Sequence, residues 1–484
     1  MIPRDLALST LNYPEQSPGF AARYLERAFQ DDPQFSEQDR RFTLHLVQGV
    51  FRWRLRLDWF VRQFVRFSFK KINPSVLNIL RIALYQIFFM DRIPDFAAIN
   101  EAVKQVKAIG KGPLSGFVNG ILREICRQKD NITFPGRENN PIRHLSVVHS
   151  YPDWLVEKWV REVGIDSTEK LLQAGNRIPG LVIRCNMLKI GRMDLIRRLE
   201  EENLGAKPTH YSPDGIMVTG LSGPVNKLDA FREGLFQVQG EAAQICSHLL
   251  QTESGRSILD LCAGMGGKSI HLAQLTGGKQ SIIAVDTNLN KLLKLKERAR
   301  ILGLGCIRPV AANSASHLSS LFNSSFSNIL VDCPCSGLGV ISKHPDGKWV
   351  RDEKDISRLS HLQIKILNEA GSLLRDRGAM LYTTCTISRE ENEDVVNDFL
   401  KKNDDMILVH LKSYVPEWGL DLIDDNGFFR TFPHLHGMDG FFGALFIKKQ
   451  AGKGVVCEPL THQARQKQCD LRKDQQNQIA DEQG

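Results

Sequence analysis

The stretch Asp332-Cys333-Pro334-Cys335-Ser336-Gly337 follows a run of apolar, β-forming residues, and Thr383-Thr384-Cys385-Thr386 follows a second such run. In a parallel α/β sheet the carboxyl ends of the strands meet at one edge, where such sheets carry their reactive groups. We therefore expect Cys335 and Cys385 to emerge from neighbouring strands beside Asp332. Two thiols next to an acidic side chain favour covalent chemistry on an electron-poor ring over a disulfide.

The surrounding segment, residues 236–449, alternates short apolar runs with helical patterns. Short connections between such elements predict an α/β domain with a mostly parallel sheet. The predicted strands are Ser257–Cys262, Ser281–Asp286, Ile307–Ala311, Asn328–Asp332 and Ala379–Thr384. Ser388 and Glu391 have the spacing of a capping box, which predicts that a helix begins after the last strand.

The rest of the chain has three further parts. Residues 1–140 show helical periodicity throughout, and the polar stretch Pro135–Arg143 suggests a boundary. Residues 145–235 predict a small α+β unit without an evident catalytic residue. Its predicted elements are a helix over Asp153–Val163, a strand over Gly180–Asn186, a helix over Arg192–Glu202, and short strands near residues 208 and 217. Residues 450–484 are polar and predict a disordered tail.

Composition and charge limit the class of protein. Of 484 residues 42% are hydrophobic and 24% charged, which is typical of a globular chain. No apolar run is long enough for a membrane helix, and the N-terminus lacks the apolar core of a signal peptide. The ten cysteines form no CxxC pair. We therefore expect a cytoplasmic monomer with reduced thiols and no metal, although zinc bound by Cys333, Cys335 and Cys385 is an alternative.

The excess positive charge lies near the N-terminus. The net charge is +8, and residues 1–140 hold 21 Lys and Arg against 14 Asp and Glu. At 100° per residue, five cations share one predicted helix face, namely Arg52, Arg56, Arg62, Arg66 and Lys70. This basic ridge predicts contact with a nucleic-acid backbone. The alternative is a solvated face opposite an aromatic core stripe.

A glycine-rich loop, Ala263–Ser269, follows the first predicted strand of the α/β segment. A phosphate-binding Walker loop would need glycine where Cys262 stands, and a dinucleotide fingerprint would need glycine at Ser269. A nucleoside-type cofactor fits best, because Asp286 ends the next strand 22 residues after Gly264. A carboxylate there accepts hydrogen bonds from ribose hydroxyls.

At these motifs the chain resembles the RsmB family (also called Fmu or Sun) of bacterial ribosomal RNA cytosine-5 methyltransferases. The resemblance extends to about residue 449. It is carried by Asp260–Ser269, by the two cysteine motifs, and by HPDGKW (His344–Trp349), EEN (Glu390–Asn392) and PHLHGMDGFF (Pro433–Phe442). The N-terminal part resembles the RNA-binding protein NusB at Ile99–Lys107 and Gly116–Arg123.

The resemblance implies a fold and a cofactor. It implies a NusB-like all-helical RNA-binding domain (1–140), a small α+β domain (145–235) and a Rossmann-like methyltransferase domain (236–449). It implies S-adenosyl-L-methionine bound by Cys262, Ala263, Gly264, Met265, Gly266, Gly267, Lys268, Asp286, Asn313 and Asp332. The family usually has Ala-Pro at Gly264-Met265 and Asp at Asn313. An asparagine still accepts a hydrogen bond.

The resemblance also implies a reaction, the methylation of carbon 5 of a cytosine in 16S ribosomal RNA. Carbon 5 becomes nucleophilic once a thiolate adds to carbon 6. Chemistry alone does not decide which thiol adds, but the resemblance implies Cys385 as nucleophile and Cys335 as the residue that aids product release. Asp332 would stabilise charge at ring N3. The alternatives are a transfer RNA cytosine-5 methyltransferase and a non-catalytic RNA-binding assembly factor.

Overall fold

The structure is a computed structural model that describes residues 2–13, 17, 19–250, 257–316, 318–322 and 325–450. Its α-helices are α1 (Pro3–Asn12), α2 (Phe20–Asp31), α3 (Glu37–Phe64), α4 (Pro74–Phe89), α5 (Asp95–Ala108), α6 (Ser115–Arg127), α7 (Pro141–His149), α8 (Asp153–Val163), α9 (Ile165–Gly175), α10 (Arg192–Glu201), α11 (Asp229–Arg232), α12 (Glu241–Leu249), α13 (Gly267–Leu275), α14 (Leu289–Ile301), α15 (Leu318–Leu321), α16 (Gly347–Val350), α17 (Glu353–Leu373), α18 (Glu393–Lys402) and α19 (Pro433–His436). Its strands are β1 (Leu181–Cys185), β2 (Gly205–Pro208), β3 (Gly215–Thr219), β4 (Phe236–Val238), β5 (Ile258–Leu261), β6 (Ile282–Asp286), β7 (Ile307–Ala311), β8 (Phe326–Asp332), β9 (Leu374–Thr384), β10 (Met406–Val409), β11 (Phe429–Arg430) and β12 (Phe442–Lys448).

The chain divides into two compact units. The first covers Met1–Pro179 together with Val340–Glu353, and the second covers Gly180–Gly339 and the described residues from Lys354 onward. Helices α7 to α9 thus belong to the first unit, whereas the sequence pattern grouped them with the strands that follow. They join it through contacts such as the backbone N–H of Leu55, which donates to Ser150 Oγ at 2.9 Å. The four domain boundaries drawn from the sequence stay a prediction, and the tail expected to be disordered lies outside the described residues from residue 451.

The first unit is helical, as its periodicity predicted. Helix α3 begins where Ser36 Oγ accepts the backbone N–H of Asp39 at 3.1 Å, and α4 begins with Pro74 after the capping residue Asn73. Glycine at position 49 brings α3 and α4 together, since a Cβ there would lie 1.9 Å from the Tyr85 ring. The two helices share a core with α1, α5 and α6.

The second unit contains two sheets. The smaller one is antiparallel with strand order β2-β3-β1-β4, which confirms the strands predicted for the small α+β unit. The larger one has strand order β10-β12-β9-β8-β5-β6-β7, with β11 paired to β12. The five strands predicted from the sequence are its parallel members, and β12 joins β9 antiparallel.

The larger sheet has a topological switch point between β5 and β8. From β5 the chain proceeds to β6 and β7 on one side, while β8 and β9 lie on the other. Loops that leave neighbouring strands at a switch point diverge and form a crevice at the carboxyl edge. The loop after β5 and the two cysteine loops therefore border the same crevice.

None of the helices in the described part of the chain combines the length and apolar character that crossing a membrane requires.

Candidate active site

The loop between β5 and α13 has an unusual backbone. Cys262 adopts φ 63°, a conformation that non-glycine residues seldom adopt outside functional sites. Gly266 adopts φ 78°, and a Cβ there would lie 2.0 Å from Leu295 Cδ1. Glycine is thus needed at 266 for the backbone to turn and for α14 to approach. The turn leads directly into α13, whose N-terminus carries the positive end of its dipole.

Asp286, at the end of β6, is tied to the same loop. One of its carboxylate oxygens accepts the backbone N–H of Gly264 at 2.9 Å, and the other accepts that of Asn288 at 2.8 Å. Each oxygen keeps a further lone pair for a ligand hydroxyl. A Cβ at Gly264 would meet no atom within 4 Å, so the backbone beside Asp286 is open to a ligand.

Two other loop positions differ in their surroundings. The Met265 side chain is 61% exposed, so this residue packs little against the protein. Asn313, after β7, is exposed, and its Oδ1 accepts the backbone N–H of Ala315 at 3.0 Å. That contact caps a local turn and leaves the Asn313 amide N–H groups for other partners.

The buried carboxyl of Asp260 links the two elements on either side of the loop. Asp260 on β5 accepts a hydrogen bond from Ser269 Oγ on α13, and its Oδ1 has no partner among the described residues. Burial raises the pKa of Asp260 to about 7. This contact fixes the start of α13 to the strand that precedes it.

Asp332, at the end of β8, forms the next part of the site. Lys268 Nζ lies 2.6 Å from Asp332 Oδ2, and Thr383 Oγ1 donates to Asp332 Oδ1 at 3.1 Å. Although burial opposes it, the charge of Asp332 raises the pKa of Lys268, which stays protonated. The ammonium also lies 5.3 Å from the centre of the Phe441 ring. Lys268 thus joins the glycine loop to Asp332.

The two predicted cysteines are in contact. Strands β8 and β9 are parallel neighbours with Asp332 opposite Thr383, and Cys335 Sγ lies 3.2 Å from Cys385 Sγ. Both side chains are half-buried, and among the described residues neither cysteine is in a disulfide. The hydrogen bond with Cys385 and burial raise the pKa of Cys335 well above its ordinary value. Cys335 therefore holds its proton, whereas Cys333, the third residue of the alternative zinc site, is buried in the core.

Backbone contacts fix the loops that carry the sulfur atoms. The N–H of Gly339 donates to the carbonyl of Cys385 at 3.0 Å, and the N–H of Gly440 donates to the carbonyl of Gly339 at 2.8 Å. A Cβ at Gly339 would lie 1.9 Å from the Gly440 oxygen. Only glycine at 339 allows these three segments to meet.

Glu391 links the two cysteine loops through its carboxylate. It is 0% exposed and accepts the backbone N–H of Ser336 at 2.8 Å, the hydroxyl of Ser336, and the amide of Gln363 at 3.1 Å. Burial raises the pKa of Glu391. The capping box predicted for Ser388 and Glu391 is wrong, because the Glu391 side chain points to Ser336 and helix α18 begins later, after Asn392.

One group of side chains in the described residues could hold a metal ion. Asp214, His248 and His271 offer ligand atoms within 4.8 Å of one another, and Asp214 Oδ2 is 2.7 Å and 2.9 Å from the two histidine Nε2 atoms. A metal-bound histidine normally donates its other ring N–H to a partner. The other ring nitrogen of His271, Nδ1, has no hydrogen-bond partner among the described residues. The cluster therefore has the geometry of a hydrogen-bonded network.

The predicted basic ridge is wrong as a single helix face. Helix α3 ends at Phe64, so Arg66 and Lys70 lie beyond it. Arg52 is 2% exposed and donates to the carbonyl of Ser342 at 2.7 Å, and Arg56 is half-buried. The cations that reach solvent are Arg62, Arg66 and Lys70. Arg52 lies inward because it satisfies a carbonyl of the segment 340–353.

Most of the predicted site residues are thus found at one edge of the sheet. Three partners of that site were not predicted from the sequence, namely Thr383, Ser336 and Gln363. The first two stand inside the quoted motifs, so their position was a usable signal. Gln363 lies on α17 and has no motif of its own, so only the structure connects it to Glu391.

Comparisons with known proteins agree with this architecture. The family described as 16S rRNA methyltransferase RsmB/F matches residues 247–447, the NusB family matches residues 1–127, and the ferredoxin-like domain of RsmF/B-like methyltransferases matches residues 151–225. The matches follow the chain order of the helical part, the small sheet and the large sheet.

Individual relatives cover nearly the whole chain. The "Probable ribosomal RNA small subunit methyltransferase B" of Bacillus subtilis is 32% identical over 447 residues, which are 92% of this chain and 98% of that protein. The ribosomal RNA small subunit methyltransferase B of Pseudomonas putida is 32% identical over 421 residues, 86% of this chain and 92% of its own. The crystal structure of PH0851 has a TM-score of 0.76 and 25% identity, and covers 92% of this chain and 97% of that one.

Proposed function

We propose, on the premise that this chain belongs to the RsmB/F family of 16S rRNA methyltransferases, that it methylates carbon 5 of a cytosine in 16S ribosomal RNA, with Cys385 as nucleophile. The observation that carries the proposal is the 3.2 Å contact between Cys335 Sγ and Cys385 Sγ. A pair of touching thiols at the carboxyl edge of the sheet suits a reaction that breaks and reforms a carbon–sulfur bond.

The crevice fits S-adenosyl-L-methionine. The open backbone at Gly264, the remaining lone pairs of Asp286 and the start of α13 are suited to a nucleoside with a short charged tail. Cys262, Ala263, Gly266, Gly267, Lys268 and Asn313 would complete its surroundings, with Met265 at the rim. When bound, the cofactor supplies an electrophilic methyl group on a positively charged sulfur.

Cys385 would act on the ring first. Its thiolate sulfur forms a bond to carbon 6 of the cytosine, and the electron pair of the ring double bond becomes available at carbon 5 for the methyl group. Cys335 supports this assignment, because its raised pKa keeps it a neutral S–H group that can donate to the sulfur of Cys385. Asp332, held by Lys268 and Thr383, would stabilise charge at ring N3.

Release would reverse the addition. A base removes the carbon 5 proton, the ring double bond reforms, and the bond between carbon 6 and sulfur breaks with its electron pair returning to Cys385. The contact between the sulfur atoms makes Cys335 the nearest group to assist this departure. Loss of Cys335 is therefore expected to slow release more than addition.

The target base must leave any stack before it reaches the crevice, so an unpaired cytosine is expected. The experiment is bisulfite mapping of 16S ribosomal RNA and transfer RNA from cells with and without the gene. We expect one cytosine of 16S ribosomal RNA to lose its protection in the deleted strain and to regain it on complementation. A lost transfer RNA site would favour the other substrate class, and unchanged maps in both RNAs would overturn the proposal.

A further inference from the structure

The first unit contains a cavity of about 540 Å³ between α3, the start of α4 and the short helical turn Phe69–Lys71. We name it the α3–α4 cavity. Buried apolar residues such as Val50 and Leu77 form part of its lining. Its polar lining is dominated by four cations, Arg54, Arg62, Lys70 and Arg81.

One of the four cations is neutralised within the protein. Arg81 donates to both carboxylate oxygens of Asp58 at 2.7 Å and to Asn78 Oδ1 at 2.7 Å. The pair is buried, and a planar fork of this kind uses the donor groups of the guanidinium. Arg81 therefore shapes the wall and adds no net charge to the cavity.

In the part of the chain that the structure describes, the other three cations are not paired with an acidic side chain. Among the described residues no carboxylate lies within ion-pair distance of Arg54, Arg62 or Lys70. Burial and then the charge of Arg81 lower the pKa of Arg54 to about 10, against the opposing charge of Asp58. A cation that is buried beside another cation is stabilised when an anion binds next to it.

Two neighbouring features also favour a negative charge. Pro74 and Ser75, the first residues of α4, line the cavity, so the positive end of this 16-residue helix faces it. The Arg62 guanidinium lies over the Phe69 ring, 3.9 Å from the ring centre, and this contact keeps the cation at the wall of the cavity. The cavity thus combines three unbalanced charges with the positive end of a helix dipole, although the N–H groups of Ser75 and Val76 already donate to Asn73 Oδ1.

We infer that the α3–α4 cavity binds a phosphate ester, and that its source is an RNA strand. Phosphate is favoured over a carboxylate because it has more acceptor oxygens to share among three separate cations. The naming of RNA rests on the proposed function, whereas the binding of phosphate does not. A free nucleotide has the same chemistry and is distinguished by the experiment.

The test uses the full chain and a 5′-labelled unstructured RNA of about 12 nucleotides, a length within the range that single-strand sites accommodate. Fluorescence anisotropy gives the Kd at several salt concentrations. We expect Arg54→Met to weaken binding about tenfold. The double variant Arg62→Met with Lys70→Met, which changes exposed side chains, should also flatten the slope of log K against log salt by about 0.7, the value for one phosphate contact.

The matched control is the double variant Arg92→Met with Lys111→Met, which removes two exposed charges from the loops before and after α5. It should keep the Kd and most of the salt slope. Inorganic phosphate and adenosine monophosphate serve as competitors. If both competitors displace the RNA only weakly, the ligand is an RNA strand. If adenosine monophosphate binds as tightly as the RNA and Arg54→Met weakens its binding, the cavity is a nucleotide site and the RNA assignment is overturned.

Equal affinities and slopes for the cavity variants and the control would overturn the inference. Thermal unfolding of each variant checks that a loss of binding is not a loss of folding. The assay contains no methyl donor, so phosphate binding can fail while the bisulfite map of 16S ribosomal RNA still shows the lost methylation. Conversely, the map can fail while phosphate still binds.

Discussion

A carboxylate oxygen of Glu391 accepts the backbone N–H of Ser336 at 2.8 Å, so a residue that follows β9 fixes the loop that follows β8. The same carboxylate also binds the Ser336 hydroxyl and the Gln363 amide. The position of Cys335 next to Cys385 depends on this contact, because Ser336 is the residue after Cys335. Glu391 is a positioning residue in this account.

Glu391→Gln is expected to lower kcat more than it changes KM. The glutamine amide would present N–H groups to donors, which leaves at least one buried donor without a partner. The free energy of unfolding should fall by about 2–4 kcal/mol. Steady-state kinetics and urea denaturation measure the two effects. Glu390→Gln is the matched control at an exposed neighbour, and an equal effect of both substitutions would contradict the role given to Glu391.

The buried carboxyl of Asp260 is expected to make the free energy of unfolding depend on pH. Burial raises its pKa from 3.8 to about 7, so between these values the folded chain binds a proton that the unfolded chain has released. The free energy of unfolding therefore falls as pH rises through this range, by an amount on the order of a few kcal/mol, and is level above it. Asp260→Asn should remove this part of the pH dependence.

The measurement for Asp260 is urea denaturation at pH 5 and pH 8. Asp421→Asn serves as control, because its carboxyl is exposed. The native chain and the control should lose stability between the two pH values, and Asp260→Asn should lose less. A variant with the same loss as the native chain would show that Asp260 is ionised in the folded state.

Replacing Lys348 is expected to lower the stability of the first unit strongly. It is 0% exposed, and Nζ donates to the carbonyls of Arg52 and Ser150 and to Asn176 Oδ1 at 2.9–3.0 Å. Burial lowers its pKa, yet three acceptors match the three N–H groups of an ammonium. Lys348→Met would remove the lysine donor from three oxygens and leave the Asn176 amide oxygen and the Ser150 carbonyl without this partner, so we expect a loss of about 3 kcal/mol in the free energy of unfolding.

Thermal unfolding measures this loss for Lys348. The control is Lys354→Met, an exposed lysine six residues later. The control should leave the Tm unchanged, whereas Lys348→Met should lower it by several degrees. A Lys348 variant as stable as the native chain would mean that these hydrogen bonds contribute no net stability.

Prediction from the sequence succeeded where a local pattern carries the information. An apolar strand followed by Cys335 or Cys385 needs no long-range contact to be recognised, and the parallel order follows from the alternation of elements. It failed where a distant segment decides. Arg52 is buried because the segment 340–353 provides its acceptor, and Glu391 turns away from a helix start because Ser336 offers two donors. Periodicity and spacing report only the near sequence, so they could not indicate either partner.

The final prediction concerns the two cysteines. Cys385→Ala should lower methyl transfer by a factor on the order of 10³ or more and form no adduct with RNA. Cys335→Ala should still add to the ring but release it slowly, so a covalent complex should accumulate. Cys306→Ala, a half-buried thiol just before β7, is the control and should retain turnover.

Mass spectrometry of the complex trapped with Cys335→Ala tests the central claim most directly. The protein is incubated with 16S ribosomal RNA and the methyl donor, digested with nuclease and protease, and searched for a cytidine adduct on a cysteine peptide. The account predicts a methylated pyrimidine joined to the Cys385 sulfur. An adduct on another cysteine, or an active Cys385→Ala enzyme, would contradict it.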